Sequence, residues 1–61
     1  MEKSIILRNL VIAVNMWAIN MGLDRRTDDT YAVKMYRQAA ANAGATKQEL
    51  ENAIKEGLKF L

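Results

Sequence analysis

Acid–base and nucleophilic catalysis near neutral pH draws mostly on histidine, cysteine or a pair of carboxylates held in a cleft. This 61-residue chain contains no histidine and no cysteine. Beyond Glu2, its acids Asp24, Asp28, Asp29, Glu49, Glu51 and Glu56 fall where connections, first helical turns or solvent faces are expected. Capping and solvation account for acids at such places. The adjacent Asp28 and Asp29 read as first-turn residues meeting the positive end of a helix dipole rather than as metal ligands. Gly22, Gly44 and Gly57 are isolated from one another, so there is no glycine-rich loop to cradle a phosphate. The residues therefore imply no enzyme, no cofactor and no metal site.

The polar residues of the second half offer one other chemistry. From Gln38 to Lys55 the chain reads QAAANAGATKQELENAIK. A small residue at Ala40, a glycine at Gly44 and an apolar residue at Leu50 resemble the helix-turn-helix of bacterial and phage transcription regulators, with Ala53 smaller than that pattern usually holds. The resemblance covers about a third of the chain. It implies a recognition helix presenting Thr46, Lys47, Gln48, Asn52 and Lys55 to a major groove. Phosphate attraction supplies much of the affinity in DNA binding, and here Glu49, Glu51 and Glu56 cancel the three lysines of residues 46–61. Arg25, Arg26, Lys34 and Arg37 form a second group of cations, mixed with three aspartates, which is the make-up of a solvated surface. Tyr31 and Tyr36 read as core or interface residues rather than as a stacking platform for bases, which needs exposed rings.

Positioning any of these groups falls to one apolar stretch. Between Ser4 and Met21 every residue except Ser4, Arg8, Asn9, Asn15 and Asn20 is apolar. Steps of ~100° about a helix axis put Ile6, Leu7, Leu10, Val11, Ala13, Val14, Trp17, Ala18 and Met21 on one wide face. Ile5, Ile12, Met16 and Ile19 form a narrower stripe on the opposite side, fenced by Ser4, Arg8 and Asn15 on one flank and by Asn9 and Asn20 on the other. A surface helix normally carries a single apolar stripe, so two stripes imply two packing partners. Ile5, Asn9, Ile12, Met16 and Ile19 recur at spacings of four and three, the seam of two helices packed side by side, with Asn9 at a position where a polar residue sets register. The expected partner across that seam is a second copy of the chain or another protein such as a host protein. Alternatively, the rest of the chain wraps the helix on all sides.

The remaining elements follow from local signals. Helix one is expected over 4–21, with Ser4 as N-cap and Gly22 as C-cap. A short charged connection leads to helix two over 28–43, capped by Thr27, with Tyr31, Ala32, Met35, Tyr36, Ala39, Ala40 and Ala43 buried and Val33 at the margin. Gly44 ends it. Thr46-Lys47-Gln48-Glu49 is a capping box that starts helix three, 47–60, whose apolar face is Leu50, Ala53, Ile54, Gly57, Leu58, Phe60 and Leu61. Glu51 and Lys55 stand at ion-pair spacing. Gly57 costs ~1 kcal/mol in a helix interior, which close packing would explain. The expected core is Leu10, Val14, Trp17, Met35, Tyr36, Ala39, Leu50, Ile54 and Leu58.

The expectation is thus an all-α fold, a helical hairpin plus a third amphipathic helix, forming a single domain over 1–61 and dimerising through helix one. A chain of this length buries only about 60 % of its unfolded surface, and without cysteine or histidine the staple left is oligomerisation. Net charge is +2, and 51 % of residues are hydrophobic, a balance that opposes disorder. Arg8, Asn9, Asn15 and Asn20 interrupt the first helix as a spanning segment would not be, so the chain is expected in the cytoplasm rather than in a membrane. In size, helical character and lack of cysteine it resembles the small helical early-region proteins of lambda-type temperate coliphages. That resemblance implies an accessory regulator acting through contacts, and it assigns no residue.

Overall fold

The computed structural model describes residues 2–22 and 29–59. The fold is all-α, with α1 at Lys3–Gly22, α2 at Asp29–Asn42 and α3 at Lys47–Leu58. Helix α1 is the centre of the molecule: α2 and α3 each pack along it and scarcely touch one another. Lys3 meets Glu49 near the starts of α1 and α3, and Asn15 meets Gly57 further along both, so these two helices run parallel. The core is Leu10 and Val14 with Ala53, and Leu7, Val11, Val33, Tyr36, Leu50, Ile54 and Leu58 pack against it half-buried. Ile6, Ala13, Ala18 and Ala40, with Gly57, complete the buried set.

The break between α2 and α3 is built from local chemistry. Gly44 takes φ +96°, a left-handed conformation that costs glycine nothing. The Gly44 N–H donates to the Ala41 carbonyl at 3.0 Å and the Ala45 N–H to the Ala40 carbonyl at 2.9 Å, which is the Schellman pair that satisfies the last carbonyls of a helix. Two residues on, the Glu49 N–H donates to Thr46 Oγ1 at 3.1 Å and the Thr46 N–H to Glu49 Oε1 at 3.0 Å. The capping box is therefore complete.

Several expectations need correction. Helix α1 begins at Lys3, so Ser4 lies within it, and the Glu2 carbonyl accepts from the Ile5 and Ile6 amides. The Lys3 ion pair to Glu49 holds that first turn against α3. Gly22 is the last residue of α1 rather than a cap beyond it. Thr27 and Asp28, with the hairpin, and Phe60 and Leu61 lie outside the described residues. Met21 is exposed, at the end of α1 beyond its packed face. In α2 the buried side centres on Val33, Tyr36 and Ala40, while Tyr31, Met35 and Ala43 are exposed. That is a rotation of roughly 50° from the expected face by the helical step. The alanines contribute little area in any orientation, so the bulk of Val33 and Tyr36 sets which way α2 faces. Trp17, Ala39, Leu50, Ile54 and Leu58 are half-buried rather than enclosed. Glu51 and Lys55 do not pair, and among the described residues the ion pairs are Lys3–Glu49 and Glu56–Lys59.

Candidate interaction surface

Because α2 and α3 flank α1 without closing around it, the third side of α1 is open. Ile5, Ile12, Met16 and Ile19 stand there 47, 55, 50 and 42 % exposed, while Leu10 and Val14 on the opposite side are 0 and 2 % exposed. The two-stripe pattern is therefore real in space, and among the described residues α2 and α3 do not cover the narrower stripe. Asn9 lies half-buried at its edge. Its side chain makes no hydrogen bond to any described residue. Asn15, on the other flank, is committed elsewhere: its Nδ2 donates to the Gly57 carbonyl at 3.3 Å, one of the last-turn carbonyls that α3 itself leaves without a partner.

The open side extends onto α2. A groove of about 210 Å³ runs between the helices, lined by Asn9, Ile12, Ala13 and Met16 from α1 and Ala32 and Tyr36 from α2. Exposed Met35 follows Ala32 round α2 on the groove side. The contribution of α2 was not anticipated, since it depends on which face of that helix turns inward.

A second cleft, about 220 Å³, lies on the other side of α2. Val14, Trp17, Val33 and Ile54 line it, with Lys34 and Arg37. Lys34 and Arg37 are the described part of the basic group, and Arg25 and Arg26 lie outside the described residues. Among the described residues no group of three or more His, Cys, Asp or Glu is placed to hold a metal ion.

The residues assigned to a recognition helix share the outer side of α3. Lys47, Gln48, Asn52 and Lys55 are exposed, and Gln48 Nε2 donates to Asn52 Oδ1 at 3.0 Å. Thr46 is engaged in the capping box through both its hydroxyl and its amide. Glu49 is held on two sides. Its carboxylate accepts from the Thr46 N–H and lies 3.1 Å from Lys3 Nζ through each oxygen. The Thr46 hydrogen bond first, and Lys3 second, lower its pKa below the ordinary 4.5.

By length and composition, Lys3–Met21 is apolar enough to cross a membrane, with a mean hydropathy of 1.4, a test that the core helix of a soluble protein also passes. No protein-family model, curated protein or solved structure matches this chain.

Proposed function

We propose that this chain is a non-enzymatic helical interaction module that works as a homodimer through the open stripe of α1, an accessory regulator acting by contact in the cytoplasm. The observation that carries the reading is the exposure of Ile5, Ile12, Met16 and Ile19 on a helix whose other sides are packed. Covering the exposed half of each would contribute about 1 kcal/mol, taking half of the ~1.5–3 kcal/mol for complete burial. That is a large return for a domain with so small a core. A second copy presents the same stripe, so the surface is self-complementary, as a two-fold interface requires. The regulator role rests on the resemblance to lambda-type phage early proteins, and a host protein is the target it suggests. A dissolved rather than membrane-inserted state is favoured by Arg8, which is exposed on α1, and by the half-buried Asn9 and Asn15.

Ile12→Asp with Ile19→Asp tests the proposal without touching the core, because both residues are exposed in the single chain. Wild type should sediment at micromolar concentration near twice 6.9 kDa. The double variant should keep its helical circular dichroism and sediment as a monomer. A wild type that remains a folded monomer at hundreds of micromolar would overturn the reading.

A further inference from the structure

The polar residue at the edge of the stripe bears on how the two copies are arranged. Ile5, Asn9, Ile12, Met16 and Ile19 fit a heptad in which Ile5, Ile12 and Ile19 take the d positions and Asn9 and Met16 the a positions. Asn9 lies half-buried in the groove, and its amide has no partner among the described residues. Covering the stripe would take that amide out of water, and an amide buried without a hydrogen bond is costly.

Only one arrangement gives it a partner. In an antiparallel pair, a positions face d positions, so Asn9 would lie opposite Ile12 or Ile19 and its amide would be stranded among isoleucines. In a parallel, in-register pair, a faces a and Asn9 meets Asn9, where one amide N–H can donate to the other's oxygen. We infer that two α1 helices pair in parallel about a two-fold axis running along them, with the two Asn9 side chains hydrogen-bonded across it. This rests on the homodimer proposed above. The same amide pair restrains the number of chains. Isoleucine at d with leucine at a favours three or four helices, whereas a buried asparagine at a specifies register and oligomer state. Asn9 is thus the residue that holds the assembly at two.

The chain has no cysteine, so single cysteines report the arrangement directly. Ile5→Cys and Ile19→Cys lie near opposite ends of the seam, and under mild oxidation each should form, by itself, a disulfide-linked species of twice 6.9 kDa. An antiparallel pair would leave both unlinked and would instead join Met16→Cys, in an equimolar mixture, to Ile5→Cys where Asn9 faces Ile12 or to Ile12→Cys where Asn9 faces Ile19. That result overturns the inference while leaving the homodimer standing. A dimeric wild type with no cross-link in any of these samples would overturn it too, because the seam would then lie elsewhere. A monomeric wild type would refute the homodimer itself. In a separate arm, Asn9→Leu should remain helical and sediment at a larger mass, up to about four chains. An unchanged dimer would show that Asn9 does not set the chain number.

Discussion

Gly57 of α3 lies so close to Val14 of α1 that a Cβ built on the glycine would stand 2.6 Å from Val14 Cβ, 2.7 Å from Val14 Cγ1 and 2.8 Å from the Val11 carbonyl oxygen. The two parallel helices are in close contact here, which explains a glycine in a helix interior, a position that otherwise costs ~1 kcal/mol relative to alanine. Gly57 is buried and its carbonyl receives Asn15 from the neighbouring helix. Small size and backbone access are both used there.

Gly57→Ala should therefore destabilise the protein despite alanine's better helix propensity. The propensity gain is ~1 kcal/mol, against ~1–3 kcal/mol for forcing an extra carbon into packed surroundings. The obstacles are a side-chain root and a backbone oxygen, neither of which can swing aside. A net loss of ~1 kcal/mol lowers the Tm of a domain this small by about 4–8 °C, measured at matched protein concentration because a dimer's Tm depends on it. Val14→Ala should not rescue the variant, because it retains the Cβ at 2.6 Å. An unchanged or raised Tm for Gly57→Ala would show that the helices can part without loss.

The residues around these helices show which parts of the fold can be read from a sequence. Gly44, Thr46 and Glu49 act within a few residues of one another, so their turn and capping box were legible as local chemistry. The open stripe of α1 was legible because apolar and polar residues alternate in sectors round that helix. The inward face of α2 was not. Apolar residues at Tyr31, Ala32, Val33, Met35, Tyr36, Ala39 and Ala40 cover most of its circumference, so spacing permits more than one orientation and contact with α1 decides. Lys3 with Glu49, 46 residues apart, and Asn15 with Gly57, 42 apart, carry no sequence signal. Each residue had a sufficient local reading: Lys3 precedes the expected helix, Glu49 completes the capping box, Asn15 fences a stripe, and Gly57 is a helix-interior glycine that close packing with any neighbour would explain.

Glu49 links the start of α3 to the start of α1, and its charge state should be visible in acid. Its folded pKa is lowered, by the Thr46 amide first and Lys3 second, so its contribution is present above the ordinary value of 4.5 and is lost as pH falls through the lowered folded value. Wild-type stability in urea should decline across that interval. Glu49→Gln should show a smaller decline there, since glutamine can still complete the capping box but offers Lys3 no charge. At neutral pH Glu49→Gln should be slightly less stable than wild type. Thr46→Ala removes the hydroxyl that accepts from the Glu49 amide and should cost ~1 kcal/mol. Parallel pH profiles for wild type and Glu49→Gln would mean that the ionised carboxylate contributes nothing measurable.

The outer side of α3 carries the competing account of the protein, and its charges state what to expect of DNA. Affinity for duplex grows with the phosphates neutralised and falls steeply with salt, so a DNA reader concentrates cations on its contact face. Residues 46–61 instead hold three lysines and three glutamates, with Glu56 paired to Lys59 at 3.5 Å and Glu49 to Lys3. A recognition helix also rests on its companion helix, whereas here α2 and α3 are each seated on α1. Random duplex at low salt should therefore migrate unretarded with micromolar protein. Lys47→Glu with Lys55→Glu, both at exposed positions, should leave helicity and sedimentation unchanged. A salt-sensitive shift of duplex that this pair abolishes would reverse the assignment and make α3, rather than α1, the working surface.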